Sequence, residues 1–567
     1  MNALERYQTW LNSPLVDEKT KAELYGIKDD MHEIIERFYT ELSFGTAGLR
    51  GVIGAGDNRM NVYNVRKATE GLARYLKTLA IAQPSVCIAY DSRRCSELFA
   101  RESACVLAAH NIKVYLFSTL HSVPQLSFSI RHLGCAAGIV ITASHNPPKY
   151  NGYKVYWSHG GQVAPKEADA ILSEIRKVED FKTEYVSYVS AVKNGGITLI
   201  GEEVDEAYYS ATQSLLLQPE LLKRKGRYLK LVYTPLHGSG NVPVRTLLER
   251  VGVTNVQVVR EQELPDCAFP TVSAPNPENP EAFTLAIKLA ERTGATVILA
   301  TDPDSDRLGV AVKKQDGGWA VLTGNQIAGI LLHSLLTGYK TTGRLPKDGL
   351  VVKSLVSTRL ADAICKSFNV EIREVLTGFR FISELIDRCE KTHERSFLFG
   401  FEESYGFLAG GFARDKDAIC ASMLIAEACV VYKERGMTLY DALQEIYRTY
   451  GYFKEQVKSY TLEGKAGIEK IQAAMASLRK NAPASVAGVE ISRIEDYERT
   501  EQTGLPASNV LRYSLKNGAW IAVRPSGTEP KLKLYIGANA PGEAEVDALL
   551  NSLFTDMDSK LSALLKI

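Results

Sequence analysis

At 567 residues the chain is too long for one small module, and at about 150 residues per domain it holds roughly four domains. Its 45% hydrophobic and 23% charged residues match a folded globular protein and exclude global disorder. Lys+Arg 67 against Asp+Glu 66 leaves a formal charge of +1, without the basic excess that binds nucleic acid or an anionic membrane surface.

Residues 1–39 are polar with apolar positions at helical spacing, which predicts a helical lead-in before the Gly-rich segment 43–54. Strand-length apolar runs then recur at 85–89, 113–117, 137–142, 228–233, 295–300, 350–352, 396–399 and 519–523, with helix-patterned segments between them. That rhythm predicts α/β units with largely parallel strands. Residues 543–567 place Val546, Leu549, Leu550, Leu553, Phe554, Met557, Leu561 and Leu564 at helical spacing, an amphipathic closing helix that buries one face. Polar or Gly/Pro stretches at 195–203, 317–324 and 449–458 are the candidate domain boundaries. Several strands end in a loop rich in Gly, Ser, Asp or Glu, and open α/β sheets bind ligands at the carboxyl ends of their strands.

The nine cysteines are odd in number and none forms a C-x-x-C pair, which argues for reduced thiols. The start MNALERYQTW has no basic segment followed by an apolar run, and the longest apolar stretches, such as 423–431, fall well short of the roughly 20 residues that span a bilayer. Both features predict a cytoplasmic protein.

Four loops carry chemistry. In 142–148, TASHNPP, two prolines and an Asn fix a turn after the strand AAGIVI, holding Ser144 in an exposed, rigid loop. In 302–307, DPDSDR, three carboxylates at alternate positions suit a hard cation such as Mg²⁺ or Ca²⁺. An EF-hand is excluded, because Arg307 and Lys313 stand where its loop needs Gly and Glu. In 524–530, RPSGTEP, an Arg, two hydroxyls and free backbone N–H groups form an anion nest. In 400–406, GFEESYG, paired carboxylates and a hydroxyl suit sugar hydroxyls. Residues 45–51, 377–380 and 237–240 add Gly-flanked cations and a further backbone nest, each of which by itself reads as a turn before it reads as a site. The chain has no G-x-S-x-G elbow, no G-x-x-x-x-G-K-[ST] loop and no H-E-x-x-H motif. A serine on a rigid loop, a three-Asp cation site and a phosphate nest together point to phosphoryl transfer.

The sequence resembles the α-D-phosphohexomutase superfamily of phosphoglucomutases, phosphomannomutases and phosphopentomutases. The motifs that carry the resemblance are FGTAGLRG at 44, TASHNPPKYNGYK at 142, DPDSDR at 302, GFEESYGF at 400 and RPSGTEPK at 524. The resemblance implies a four-domain α/β architecture around a central cleft, three mixed-sheet domains and a smaller C-terminal α+β domain. It places the phosphoserine loop in 1–200, the metal loop in 201–322, the sugar loop in 323–450 and the phosphate loop in 451–567. It implies that Ser144 is the phosphorylated serine and that Asp302, Asp304 and Asp306 bind Mg²⁺, with Ser144 also facing the metal. Arg50, His145 and Lys154 are implied to be catalytic, Lys154 in proton transfer. Thr377, Gly378, Arg380 and Arg307 are implied to bind substrate, Glu402 and Ser404 to contact sugar hydroxyls, and Arg524, Ser526, Gly527 and Thr528 to hold the non-reacting phosphate.

The implied activity is interconversion of the 1- and 6-phosphates of α-D-glucose through a glucose 1,6-bisphosphate intermediate, in a monomer with a homodimer as the alternative. Pentose or mannose phosphates, or synthesis of a hexose bisphosphate, are the alternatives within catalysis. A degenerate sugar-phosphate binding protein is the alternative outside it, and the presence of Ser144 with all three aspartates speaks against that reading. Pro303 takes the place of a commoner Gly in the metal loop and leaves the carboxylate spacing intact. Arg380 stands where Lys is usual, which keeps a cation with a different hydrogen-bond geometry. The GFEESYG form resembles the subgroup of bacterial α-phosphoglucomutases and phosphopentomutase-like enzymes.

Overall fold

The computed structural model describes residues 2–45, 48–462, 464–526 and 531–566. Its contacts divide the chain into two compact units. The first is Met1–Leu322 with Ser383–His393 and Ser404–Arg435; the second is Thr323–Ile382 with Glu394–Glu403 and Gly436–Ile567. Among the described residues no helix is long and apolar enough to cross a membrane.

The helical lead-in forms as Ala3–Asn12, Glu18–Tyr25 and Met31–Phe38. Asn2 and Glu5 close a capping box on the first helix, which satisfies N–H groups that its first turn leaves unpaired. Trp10 meets Phe38, Tyr63 and Phe181 edge-on, and its indole N–H donates to Asp57 at 2.8 Å.

The first sheet contains β1 (Gly48–Val52), β2 (Ser85–Tyr90), β3 (Lys113–Phe117), β4 (Ala137–Ile141), β5 (Tyr150–Trp157) and β6 (Ile197–Ile200), in the order β1-β5-β4-β2-β3-β6. β4, β2, β3 and β6 run parallel, while β5 and β1 add antiparallel strands at one edge. Every residue of β4 is buried, as a central parallel strand covered on both faces requires, and its sequence AGIVI has no polar alternation. β5 was not legible as a strand, because YNGYKVYW begins inside the polar segment that follows Ser144. At Gly48, φ is +140° and an added Cβ would lie 1.8 Å from the Tyr153 carbonyl oxygen, so only glycine lets β1 approach β5 this closely.

The second sheet contains β7 (Leu231–Thr234), β8 (Val256–Val258), β9 (Val297–Thr301), β10 (Leu308–Lys313) and β11 (Trp319–Val321), ordered β11-β10-β9-β7-β8. It is also mixed, with β9, β7 and β8 parallel and β10 and β11 antiparallel. The run expected at 228–233 begins late, since Gly226–Tyr228 is a turn of 3₁₀ helix.

In the second unit β12 (Gly349–Ser354) pairs in parallel with β13 (Glu371–Val375) and β14 (Ser396–Glu402). The next strand, β15 (Gly406–Ala409), lies in the first unit and leads toward the helix Ala418–Glu434. The remaining strands are β16 (Tyr452–Thr461), β17 (Ser485–Val486), β18 (Val489–Asp496), β19 (Leu511–Leu515), β20 (Trp520–Pro525) and β21 (Lys531–Ala540). They form a sheet ordered β16-β21-β20-β19-β18-β17 in which every pairing is antiparallel. The expected parallel arrangement therefore stops short of this last sheet. The closing helix spans Glu543–Leu565 and buries Val546, Leu550, Leu553, Met557, Leu561 and Leu565, with Leu549, Phe554 and Leu564 partly covered. The segments 195–203, 317–324 and 449–458 contain β6, β11 and the start of β16, so each carries sheet structure.

Within the second unit, the Glu455 carboxylate on β16 accepts from the Asn325 side-chain amide at 2.9 Å, and the Asn325 carbonyl accepts from the Thr358 N–H at 3.1 Å. Burial outweighs the side-chain hydrogen bonds from Thr358 and Asn325 and pushes the Glu455 carboxyl up to about 7. The folded value exceeds the unfolded one, so this stabilising contribution is complete below the ordinary Glu value and is lost as pH rises to about 7. Glu455→Gln is expected to match the parent near pH 4.5 and to exceed it at pH 8 by about 1 to 3 kcal/mol in urea unfolding. An equal gain at both pH values would contradict the assignment.

Candidate active site

β4 delivers its last residue, Ile141, into the loop that carries Ser144. Ser144 has φ +52°, a left-handed conformation that a serine adopts only when its neighbours impose it. The Thr142 hydroxyl accepts from the Ser144 N–H at 2.8 Å, and the Ser144 carbonyl accepts from Arg93 at 2.5 Å. The expected exposure of Ser144 is overturned: the residue is only 3% exposed. The cause is the acidic turn packed against it, where Ser144 Oγ donates to Asp302 Oδ2 at 2.7 Å. His145 Nδ1 lies 3.2 Å from the same hydroxyl. Burial, followed by Arg307 and Arg50, holds the His145 imidazole well below its ordinary value, so it is neutral near pH 7.

The acidic turn joins β9 to β10. Asp302, Asp304 and Asp306 are all buried, and each offers an oxygen within 4.8 Å of the others. The Asp306 and Arg307 N–H groups donate to Asp302 Oδ1 at 3.1 and 3.0 Å. Asp304 Oδ1 and Asp306 Oδ1 are buried without a hydrogen-bond partner. Two bare carboxylate oxygens in an all-oxygen cluster are the donors a hard divalent cation takes, so these residues fit Mg²⁺. Burial, and then repulsion from Asp304 and Asp306, pushes the Asp302 carboxyl well up. Burial acts the same way on Asp304, but Lys154 overcomes it and holds that carboxyl below the ordinary range.

Two lysines meet the triad. Lys154, on β5, lies 3.0 Å from Asp304 and 3.9 Å from Asp306. Lys416 lies 3.1 Å from Asp306 and 2.8 Å from Asp415. Arg307 is half-buried and donates to Glu278. Arg50 stands on β1 opposite Gly152, and its charge acts on both His145 and Arg93. The glycine loop 237–240, expected as a further backbone nest, instead buttresses the metal turn. The Ser239 N–H and hydroxyl donate to the Pro303 carbonyl at 2.9 and 2.8 Å, and a Cβ on Gly238 would lie 2.4 Å from Pro303 Cα.

The second unit gathers a different set. Glu402 ends β14, and its Oε1 accepts from the Gly378 N–H at 2.6 Å. Gly378 has φ +118°, open to glycine and strained for other residues, next to Thr377. Arg380 follows on the helix Phe379–Thr392, its guanidinium 4.5 Å from the Phe381 ring centre. Arg524 lies on β20 opposite Lys533, and the Ser526 N–H donates to the Lys531 carbonyl at 2.7 Å. Burial raises the Tyr535 phenol, with Glu403 and Glu402 adding to the rise and a hydrogen bond to Arg524 opposing it. Glu402 and Arg524 thus act on one tyrosine. Gly527 and Thr528 lie outside the described residues. Ser404 is half-buried in the first unit.

Four family models match in chain order. The phosphoglucomutase/phosphomannomutase α/β/α domains I, II and III match residues 41–182, 206–317 and 323–450, and the C-terminal domain matches 461–553. The chain belongs to the phosphoglucomutase/phosphomannomutase family. It is 39% identical over 516 residues to the phosphoglucomutase of Staphylococcus saprophyticus, covering 89% of this chain and 92% of that one. A Staphylococcus aureus phosphoglucomutase is 38% identical over 526 residues, covering 91% and 93%. Among solved structures, the Paramecium phosphoglucomutase parafusin in its open form aligns with a TM-score of 0.71 at 17% identity, over 93% of this chain and 96% of that one. The Burkholderia thailandensis phosphoglucomutase/phosphomannomutase family protein aligns at 0.65 and 18% identity, over 92% and 97%. The fold is accordingly three α/β domains followed by a C-terminal domain built on an antiparallel sheet.

Sequence reasoning passed over Asp91, Arg93 and Lys416. Asp91-Ser92-Arg93 directly follows β2, the placement that singled out the other loops. The run Arg414-Asp415-Lys416-Asp417 before an apolar helix was a comparable signal.

Calorimetric titration with MgCl₂ is expected to show one ion bound per chain and a raised Tm, because a ligand taken only by the folded state stabilises it. Asp304→Asn removes one donor of the cluster and should lose both effects. Undiminished Mg²⁺ binding by this variant would place the ion elsewhere.

Proposed function

We propose that the chain interconverts the 1- and 6-phosphates of α-D-glucose through a phosphoserine on Ser144 and a glucose 1,6-bisphosphate intermediate. Family membership makes it a phosphosugar mutase, an isomerase that works by phosphoryl transfer. The observation that carries the role of Ser144 is its 2.7 Å contact with Asp302, in a pocket that also holds Asp304, Asp306, Lys154 and His145. Glucose is supported by the staphylococcal relatives, which are named phosphoglucomutases.

Phosphate-monoester cleavage is among the slowest uncatalysed reactions, with enzymatic accelerations of up to about 10²¹-fold, so several groups must act together. Phosphorylated Ser144 gives its phosphoryl group to the free hydroxyl of the bound sugar phosphate, forming the bisphosphate and restoring the serine hydroxyl. Lys154, placed by β5 beside Asp304, handles the proton that the attacking sugar hydroxyl loses. His145 is neutral and keeps a hydrogen-bonding nitrogen toward Ser144 Oγ. Arg307 and Arg50 bring positive charge to the transferring oxygens. Asp302, Asp304 and Asp306, together with Ser144, would hold Mg²⁺, which would supply Lewis-acid stabilisation of the same charge.

Thr377, Gly378, Arg380, Glu402 and Ser404 take the sugar, and Arg524 with Ser526, Gly527 and Thr528 takes the non-reacting phosphate. The bisphosphate reorients and returns its other phosphate to Ser144. All nine cysteines are free thiols, which supports a reducing cytoplasmic setting, and the working form proposed is a monomer.

With glucose 1-phosphate, ribose 1-phosphate and mannose 1-phosphate in parallel, kcat/KM is expected to be highest for glucose 1-phosphate; a higher value for either other sugar overturns the choice of glucose. Ser144→Ala should form no phosphoenzyme and lose turnover by about 10³-fold or more, on the scale seen when a nucleophile is removed. Full turnover by Ser144→Ala refutes the phosphoserine mechanism.

A further inference from the structure

Asp91 and Arg93 sit in the turn after β2, and neither side chain is exposed. Arg93 Nη2 donates to the carbonyls of Ser144, at 2.5 Å, and Asn146; Nη1 donates to those of Pro147 at 3.0 Å and Tyr150 at 3.1 Å. Four carbonyls of the Ser144 loop therefore converge on one guanidinium. The Phe269 ring closes one face of that guanidinium, 5.0 Å away.

Asp91 ties this clamp to the other side of Ser144. Its Oδ1 accepts from the Arg93 N–H at 2.9 Å and from Ser96 Oγ at 2.7 Å. Its Oδ2 lies 3.4 Å from Arg93 Nε and accepts from the Thr142 hydroxyl at 2.7 Å. That hydroxyl is the acceptor for the Ser144 N–H. The N–H and C=O of Ser144 are thus fixed from opposite sides by two groups that share one carboxylate, and these bonds hold the residue at φ +52°. A lysine offers a point charge on a flexible stem and cannot reproduce a planar fork that spans four acceptors.

We infer that Arg93, braced by Asp91, is the positioning residue that holds Ser144 in its left-handed conformation and so aims its hydroxyl into the Asp302 pocket. The inference rests on the proposed role of Ser144 as phosphoryl carrier. Arg93 touches neither the hydroxyl nor the carboxylate triad through a hydrogen bond, so it acts through the backbone of the loop.

The test is transfer of labelled phosphoryl from glucose 1,6-bisphosphate to the full-length enzyme, followed as rate and as endpoint, beside steady-state kcat and KM. Arg93→Lys is expected to label to the full endpoint about 10²-fold more slowly, the scale of loss when a reacting group is displaced by about 1 Å. Its kcat should fall in proportion, its KM should stay within about threefold, and its Mg²⁺ affinity should match the parent. A merely structural role predicts the reverse, a reduced endpoint with an unchanged rate in the molecules that do label, and that result overturns the inference. Ser144→Ala is run beside it: labelling of that variant removes the phosphoserine reading itself, whereas an unlabelled Ser144→Ala with a parental rate in Arg93→Lys removes only the role of Arg93. Should Arg93→Lys not fold, Thr142→Val and Thr142→Ser probe the other half of the clamp. Slow labelling in Thr142→Val with recovery in Thr142→Ser supports the clamp, and equal rates in both overturn it.

Discussion

The need to neutralise three buried carboxylates in one short turn organises the first unit. Two unit charges within 4.8 Å at an effective dielectric near 20 repel by about 3 kcal/mol, before the cost of removing them from water. The chain answers with Lys154 from β5, in the first sheet, and Lys416 from the segment before the helix Ala418–Glu434. Elements more than 100 residues apart in sequence are drawn to one point by that demand. The lysines still leave Asp304 Oδ1 and Asp306 Oδ1 without a hydrogen-bond partner, and such oxygens are the donors that suit a divalent cation.

Around that centre, backbone geometry does the aiming. Ser239 and Gly238 support Pro303 from beneath, so a loop that looked like an anion nest is a buttress. The carbonyl of Asp304 accepts from the Val123 N–H at 2.9 Å, which binds the start of a first-domain helix to the metal turn. The hydroxyl of Ser144 therefore meets Asp302 through two independently braced loops, each stiffened by residues in sparsely populated conformations, Ser144 and Ser305.

Much of this was legible because local chemistry and local geometry coincide at the loops. The run AGIVI announces a buried strand, and the three aspartates of DPDSDR announce a carboxylate cluster that suits a hard cation. β5 was hidden because its polar and glycine-rich opening belongs to the loop pattern, although it is the strand that delivers Lys154. Arg93 was hidden because its guanidinium holds carbonyl groups, and carbonyls leave no mark in a sequence of side chains.

By itself the sequence determined the alternation of apolar strands and polar loops, the closing amphipathic helix and the residue types that bind cations and phosphate, since each depends on a few neighbours along the chain. Tertiary structure alone decided that Ser144 is buried, that its hydroxyl faces Asp302, and that Lys416 joins Lys154 on the acidic turn. These outcomes are set by contacts across more than 100 residues, where packing and the electrostatic cost of burial select the partner and local pattern carries no information.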